Sequence, residues 1–273
     1  MNSRVRGITP LEPRAASVFV HVTNLRGSAE WYNKLLGLPM LEDRFNGGPV
    51  YWYNLRHTNL ILDNNAGNEA NPDWRVSMKP RIMFKTANID EAYAYVKEKG
   101  EPFLEPERHG GVMAFFNFRD PEGNVQMVCW TAEEENPGEP EPVGASPILP
   151  RIGAVFIDVK DMTAMSSWYA DLLGIPADAY HAEGEVVDLP TTKGGGILLD
   201  ANRGLQGNDF TIPFMFVTED LEASLVFAQE NGFELFGEPQ YYGPVSFFVL
   251  KDPDGNLVMV CRDESLAKTA ERE

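Results

Sequence analysis

The pattern of apolar and polar positions changes its period along the chain, and each change predicts the start of a new element. Residues 16–22 form an apolar, β-rich run that predicts a strand. A helical pattern follows, in which apolar side chains recur at the spacing of one helix face: Trp31, Tyr32, Leu35 and Leu36. This helix is expected to begin near Ser28, a suitable N-cap, and to end at Gly37.

Short strands and a second helix are predicted after Gly37. Apolar runs predict strands around residues 38–45, 50–55, 59–62 and 81–86. Asn88 then opens a capping-box pattern and predicts a helix that stops at Gly100. Three more strands follow, and Asp-Pro-Glu-Gly at 120–123 joins the last two in a turn, where proline fixes φ and glycine supplies a positive φ. The order of elements predicts two βαβββ units in this stretch.

Two motifs of this pattern occur twice in the chain, which indicates a tandem duplication. The motif that begins at Trp31 and continues to Leu-Leu-Gly-Leu-Pro returns 137 residues later at Trp168. The turn Asp-Pro-x-Gly-Asn that begins at Asp120 returns 132 residues later at Asp252. The difference of five residues is assigned to a longer loop around residues 64–79 in the first copy. A duplication predicts that Trp31 and Trp168 pack at equivalent helix–sheet contacts.

The copies are separated by a stretch rich in proline and glutamate, which cannot continue a strand and is interpreted as a surface linker. The domain bounds that follow are an N-terminal extension at 1–14, domain 1 at 15–131, an acidic Pro-rich linker at 132–148, domain 2 at 149–262 and a charged tail at 263–273.

Composition excludes several classes of function. The chain has 23 Lys plus Arg against 41 Asp plus Glu, a net charge of −18, which argues against nucleic acid or an anionic membrane as a partner. No run of 18 apolar residues and no apolar leader occurs, so a cytoplasmic location is expected. Two cysteines cannot form a disulfide framework or a four-cysteine zinc site.

A β-strand, a helix ending in the Trp-Tyr motif and a terminal Asp-Pro-x-Gly-Asn hairpin resemble the vicinal oxygen chelate superfamily, which includes glyoxalases, bleomycin-resistance proteins and extradiol dioxygenases. The resemblance implies an α+β fold of four βαβββ units. These would form two tandem domains, each an open half-barrel cup with flanking helices and a small-molecule ligand inside. It does not by itself settle the function.

The resemblance also implies where metal-dependent members carry their ligands. Those positions fall near 60–62 and 197–199 and at Ser17, Arg81, Met127, Ala154, Pro213 and Met259. None of these is a usual metal ligand, so no cofactor is predicted. A divalent metal stays open as an alternative, held at a displaced site by His21, Asp63 and Cys129; the cysteines are otherwise interpreted as buried small apolar residues.

Strand alternation and the aromatic runs suggest which side chains line the cups. The candidates for ligand binding are Phe19, His21, Trp52, Arg81, Lys85, Phe115, Met127, Phe156, Asp158 and Met259. His21 is also the candidate acid or base. Arg81, Lys85 and His21 would favour an anionic or carbonyl-bearing ligand in the first cup, whereas the second cup offers Asp158. His109 is assigned to a solvated loop.

Three functions follow from these features. The favoured one is a glyoxalase- or bleomycin-resistance-like protein that binds an aromatic or amphipathic small molecule in a metal-free cup. The alternative is an enzyme of the same fold, a glyoxalase-like lyase or extradiol-type dioxygenase. The third is an interaction protein with filled cups. The chain carries four units and could act as a monomer or as a homodimer.

Overall fold

The fold is given by a computed structural model that describes residues 9–65, 78–132, 138–140, 142–202 and 210–264. The described residues form four α-helices: α1 (Leu25–Leu36), α2 (Ile89–Lys99), α3 (Met162–Leu173) and α4 (Leu221–Glu230). Most of the predicted long loop, part of the linker and nearly all of the charged tail lie outside the described residues.

Sixteen strands are formed in the described part of the chain. The strands of the first copy are β1 (Leu11–His21), β2 (Val50–Tyr53), β3 (Asn59–Asp63), β4 (Ile82–Thr86), β5 (Glu101–Pro102), β6 (Glu107–His109), β7 (Met113–Arg119) and β8 (Val125–Thr131). The strands of the second copy are β9 (Ile148–Asp158), β10 (Val186–Leu189), β11 (Gly196–Asp200), β12 (Phe214–Thr218), β13 (Glu234–Leu235), β14 (Gln240–Tyr242), β15 (Val245–Lys251) and β16 (Leu257–Asp263).

The strands make two sheets with the same topology. The first has the order β2-β3-β1-β4-β8-β7-β5, and β6 pairs with β7; the second has the order β10-β11-β9-β12-β16-β15-β13, and β14 pairs with β15. In each sheet a parallel pair, β4 with β8 or β12 with β16, lies among antiparallel pairs. The predicted α+β class and tandem arrangement are confirmed.

The chain divides into two compact units, and each takes elements from both copies. The first unit comprises the described parts of Met1–Phe19, Ala66–Asn136 and Val155–Asp209. It therefore combines α2 and β4–β8 with α3, β10 and β11. The second unit comprises the described parts of Val20–Asn65, Pro137–Ala154 and Phe210–Glu273, so it combines α1, β2 and β3 with α4 and β12–β16.

Two local predictions in the first copy are wrong. Helix α1 begins at Leu25 and not near Ser28, because the side chain of Asn24 accepts a hydrogen bond from the Gly27 amide at 3.1 Å and caps the helix. The predicted strand at 38–45 is replaced by a short 3-10 helix at Glu42–Arg44. The predicted cap of α2 is confirmed, since the Asn88 side chain accepts from the amides of Asp90 and Glu91.

The core of each unit is built on the tyrosine of its Trp-Tyr motif. Tyr32 in the second unit and Tyr169 in the first unit are both fully buried. Trp31 and Trp168 each meet the adjacent tyrosine ring edge to face at 4.8 Å, and neither is fully exposed. The two tryptophans therefore make the same contact within their own helices, and the equivalence of their helix–sheet contacts stays a prediction. Among the described residues, no helix is long and apolar enough to cross a membrane.

Candidate functional site

One face of the sheet in the first unit carries four of the ten predicted ligand-binding residues, Phe19, Lys85, Phe115 and Met127, because strand register places them on the same side. Met83 on β4 is paired with Met127 on β8, and Lys85 is paired with Cys129. Cys129 is paired in turn with Phe115 on β7. Directly paired residues project to the same side of a sheet, so these five side chains share one surface, which we call the unit-1 face.

Phe19 extends the unit-1 face at β1, where its amide donates to the Arg81 carbonyl at 2.8 Å. The exposure of the strands supports this orientation. On β4, Ile82 and Phe84 are completely buried, whereas the intervening Met83 and Lys85 are only partly buried. Strand β4 thus packs Ile82 and Phe84 into the core and leaves Met83 and Lys85 partly exposed on the unit-1 face, whereas Met127 and Cys129 on β8 are buried.

The guanidinium group of Arg81 forms an ion pair within the first unit. Its Nη1 atom lies 3.1 Å from Oδ2 of Asp158, the residue predicted to give the second cup its charge. Two residues assigned to different sites therefore form one half-exposed ion pair. Phe156, two residues before Asp158 on β9, is 7% exposed.

Lys85 also lies on the unit-1 face. Unlike Arg81, it forms no ion pair or hydrogen bond with the described part of the chain. Its nearest charged or ionisable neighbour in the register is Cys129. Burial raises the pKa of the Cys129 thiol to about 11, and the charge of Lys85 opposes that rise. At neutral pH the cysteine is a protonated, weakly polar group beside an ammonium.

Two polar side chains at this face had not been assigned a role from the sequence. Asn117, paired with Met127, donates from Nδ2 to the Met78 carbonyl at 2.9 Å, while its buried Oδ1 has no hydrogen-bond partner among the described residues. His109 lies on β6 and not in a loop, and its ring stacks on Phe115 at 5.5 Å. Neither was detectable from a motif, because the pairing of β7 with β8 places Asn117 on the face and the pairing of β6 with β7 places His109 there.

The equivalent surface of the second unit is apolar. Met215 is paired with Met259, and Val217 with Cys261; Val249 is paired with Met259. The predicted residue Met259 thus lies among side chains that offer no charge. Arg81, Lys85 and Asn117 correspond by repeat spacing to Pro213, Val217 and Val249.

His21 and Trp52 belong to the second unit. The Nδ1 atom of His21 lies 3.4 Å from Oδ2 of Asp63, and both side chains are largely buried. Trp52 is half-buried, whereas Tyr51 and Tyr53 on the opposite face of β2 are completely buried.

The described residues do not fit a metal centre. No group of three or more His, Cys, Asp or Glu side chains among them is arranged to hold a metal ion, so the displaced cluster of His21, Asp63 and Cys129 is not assembled. At the positions implied by the resemblance, Met127 and Met259 are thioethers, and Arg81 is a cation. Neither chemistry suits Mn²⁺, Fe²⁺ or Zn²⁺.

The repeated turn motif holds a buried network in the first unit. Asp120 accepts hydrogen bonds from the Glu122 and Asn124 amides, from Asn124 Nδ2 and, at 2.8 Å, from the Tyr169 hydroxyl. The same hydroxyl accepts from Gln126 Nε2 at 3.1 Å. Burial, with the nearby charge of Asp120, raises the pKa of Tyr169 well above its usual value.

The second unit repeats this network with the other pair of motifs. Asp252 accepts from the Asp254 and Asn256 amides, from Asn256 Nδ2 and, at 3.2 Å, from the Tyr32 hydroxyl. Burial raises the pKa values of both Asp252 and Tyr32. In both units the turn comes from one copy and the tyrosine from the other, which sequence reasoning missed.

The turn acid at the variable position binds the backbone just before the neighbouring helix. In the first unit, Glu122 accepts from the Lys160 and Asp161 amides just before α3. In the second unit, Asp254 accepts from the Thr23 amide and hydroxyl just before α1 and from the Ser28 hydroxyl. These contacts fix the ends of β9 and β1.

The predicted linker contributes a buried ion pair to the second unit. Arg44 lies 2.7 Å from Glu139, and both side chains are 7% exposed. Glu139 also accepts from the Asn54 amide, and Arg44 donates to the Trp52 carbonyl at 2.6 Å. The linker is therefore anchored at Glu139 rather than lying wholly on the surface.

Comparison with known proteins gives a family match over most of the chain. Residues 14–128 and 151–260 match the model of the Glyoxalase/Bleomycin resistance protein/Dioxygenase superfamily. No curated protein matches.

Solved structures of this superfamily share the fold at low sequence identity. The Mn(II)-bound glyoxalase from Novosphingobium aromaticivorans aligns with a TM-score of 0.61 at 13% identity, covering 92% of this chain and 82% of that chain. Homoprotocatechuate 2,3-dioxygenase from Arthrobacter globiformis gives 0.60 at 15% identity, covering 93% and 80%. The anaerobic complex of the Brevibacterium fuscum enzyme with 3,4-dihydroxyphenylacetate gives 0.62 at 14% identity, covering 96% and 83%.

Proposed function

The chain belongs to the Glyoxalase/Bleomycin resistance protein/Dioxygenase superfamily, and we propose that it binds a small aromatic or amphipathic anion on the unit-1 face without the help of a metal. The observation that carries this proposal is Lys85. It is a partly buried lysine without an ion-pair partner among the described residues, and it shares the unit-1 face with the apolar side chains of Met83, Met127 and Phe115.

The surroundings of Lys85 suit a ligand with a flat ring and one negative group. Phe19 and Phe115 offer ring faces, and Met127 adapts to irregular shapes. A charge that is partly withdrawn from water attracts an anion more strongly than an exposed one. Arg81 takes no part in this selection, because Asp158 neutralises it. One of the similar structures is itself a complex with an aromatic carboxylate.

The enzyme alternative has weaker support. The contact of His21 with Asp63 could provide an acid–base pair. However, no third metal-ligating side chain joins this pair among the described residues. The binding function needs only groups that the first unit already presents together.

The proposal is tested with a matched pair of fluorescent probes on the full chain. 8-Anilinonaphthalene-1-sulfonate carries an aromatic system and one negative charge, and N-phenyl-1-naphthylamine is its uncharged counterpart. In Lys85→Met the dissociation constant of the anionic probe should rise about five- to tenfold, since a partly buried charge contributes about 1 kcal/mol. The affinity of the neutral probe should stay within about twofold.

Lys251→Met provides the matched control. Lys251 is a half-exposed lysine of β15 in the second unit, and its ammonium pairs with Glu234 at 2.7 Å. Its replacement should leave both probes unaffected. Equal affinity of Lys85→Met and the wild type for the anionic probe would show that Lys85 does not select the ligand.

A further inference from the structure

The sequence contains two asparagine–glycine pairs, Asn46-Gly47 and Asn231-Gly232. In such a pair the backbone nitrogen of the glycine can attack the side-chain amide carbon of the asparagine, because glycine has no Cβ to obstruct a close approach. Ammonia then leaves and a cyclic succinimide remains. Both pairs lie in the second unit, so the same reactive sequence can be compared in two different surroundings.

The first pair lies in an exposed loop between the 3-10 helix at Glu42–Arg44 and β2. Asn46 and Gly47 are both exposed to solvent. The Gly47 amide, which is the attacking group, donates no hydrogen bond to any residue that the structure describes. Gly47 has φ of +87°, and a Cβ built there would meet no described atom within 4 Å apart from its chain neighbours. The attacking group is therefore unengaged and lies in open surroundings.

The side-chain amide of Asn46 is polarised by the same loop. Its Oδ1 atom accepts a hydrogen bond from the Gly48 amide at 3.0 Å. When the Gly47 nitrogen adds to Cγ, the negative charge of the tetrahedral intermediate develops on this oxygen. A backbone N–H directed at a developing negative charge stabilises it, as the donors of an oxyanion hole do. The loop therefore supplies both the nucleophile and a donor for the oxyanion.

The second pair is held by hydrogen bonds at the C-terminal end of α4. Asn231 is half-buried, and its Nδ2 atom donates to the Phe227 carbonyl at 2.9 Å. The backbone amide of Asn231 donates to the same carbonyl at 3.0 Å. The Gly232 amide, the attacking group of this pair, donates to the Gln229 carbonyl at 3.1 Å. Both the leaving group and the nucleophile are thus engaged, and the reaction must first break these bonds.

We propose that Asn46 is a site of spontaneous deamidation and that the fold protects Asn231 from the same reaction. At Asn46 a bond forms between the Gly47 nitrogen and Cγ, and the bond from Cγ to Nδ2 breaks. The Gly47 nitrogen loses its proton, and the Nδ2 group leaves as ammonia. Water then opens the succinimide at either carbonyl and gives aspartate or isoaspartate.

The modification changes both the charge and the backbone of the loop. Each event adds one negative charge to a chain whose net charge is −18. An isoaspartate also carries the main chain through its side-chain carbon, which adds one backbone atom between the 3-10 helix and β2. The reaction is independent of the proposed anion site, since it takes place in the other unit and uses other residues.

The test follows both asparagines in one sample of the full chain. The protein is incubated at neutral pH, and peptide mass spectrometry measures aspartate plus isoaspartate at each site over time. In the folded chain, Asn46 should react at least about tenfold faster than Asn231, because hydrogen bonds at Asn231 must break first. In guanidinium chloride the two rates should agree within about threefold, because no fold then distinguishes the pairs. Folding should therefore slow Asn231 and leave Asn46 unslowed.

Two matched variants assign the product. The main acidic form that accumulates with time, separated by ion exchange, should be lost in Asn46→Gln, because closure on a glutamine needs a larger ring, and should persist in Asn231→Gln. The proposal is overturned if Asn46 reacts no faster than Asn231 in the folded chain, or if folding slows Asn46 as much as it slows Asn231. Both sites are measured in the same wild-type sample, so a variant that fails to fold leaves this test intact.

Discussion

Each of the two compact units contains the same kind of buried hydrogen-bond network, but the two units differ on one face of their sheets. In each unit a tyrosine of the Trp-Tyr motif donates to the aspartate of a turn that comes from the other copy, Tyr169 to Asp120 and Tyr32 to Asp252. The equivalent sheet faces, by contrast, are not alike, since the first unit has Lys85 where the second has Val217. The shared network is therefore structural, and the divergent face is the one on which we propose that the ligand binds.

The largest effect is expected from removing the turn aspartates. Asp120→Ala and Asp252→Ala each delete the acceptor of four hydrogen bonds. The loss should lower the free energy of unfolding by about 3 kcal/mol or more. Urea denaturation measures the loss, and hydrogen exchange with mass spectrometry locates it.

The exchange pattern tests the pairing between copies. Asp120→Ala should speed exchange in α3 more than in α1, because Tyr169 of α3 loses its acceptor. Asp252→Ala should speed exchange in α1 more than in α3. Faster exchange in the helix of the mutated copy would contradict the observed pairing.

A smaller and unequal effect is expected from the two tyrosine hydroxyls. Tyr169→Phe should lower the free energy of unfolding by about 2 kcal/mol, because it also leaves Gln126 Nε2 without its acceptor. Tyr32→Phe should cost about 1 kcal/mol, since Val258 stands where the first unit has Gln126. If urea denaturation gave the same loss of free energy for both variants, Gln126 would make no additional contribution in the first unit.

The pH dependence of the free energy of unfolding tests whether the buried, protonated phenol of Tyr169 causes this difference. Burial raises the pKa of Tyr169 in the folded chain, so the unfolded chain ionises this phenol first. The stability contributed by the protonated phenol is complete below about pH 10 and is lost as the pH rises through the folded pKa. The stability difference between wild type and Tyr169→Phe should therefore narrow above pH 10.

The smallest effect concerns the two buried thiols. Burial raises the pKa of Cys129 to about 11 and of Cys261 to about 12; Lys85 opposes the first rise, whereas Asp263 adds to the second. Because the thiolate is the reactive form, iodoacetamide should alkylate both slowly at pH 8 and Cys129 faster, by up to about tenfold. Peptide mass spectrometry measures the two rates.

Lys85→Met serves as the control for thiol reactivity. It removes the charge that favours the Cys129 thiolate, so alkylation of Cys129 should slow while that of Cys261 stays the same. Faster alkylation of Cys261 than of Cys129 in the wild type would mean that Lys85 does not distinguish the two faces.

Much of the fold could be predicted from the sequence because it depends on short-range patterns. Periodicity located the helices, Asn88 capped α2 as expected, and the repeated motifs indicated two equivalent sheets. The error at the start of α1 was local, since Asn24 and not Ser28 caps the helix, whereas the other error came where a distant residue intervenes. The segment around Arg44 forms a 3-10 helix rather than a strand, and Glu139, far along the chain, pairs with Arg44 in the interior.

The candidate site was only partly accessible to the same reasoning. Alternation placed Phe19, Lys85, Phe115 and Met127 on one surface, and the register of the strands brings them together. Alternation could not indicate that Arg81 is neutralised, since its partner Asp158 lies in the other copy.

The sequence by itself determined the duplication, the class of fold and the positions of most helices and strands, since these depend on residues a few places apart. The tertiary structure decided which copies pair in each unit and which charges are neutralised. Those outcomes depend on contacts between residues far apart in the chain, whose geometry no local pattern contains.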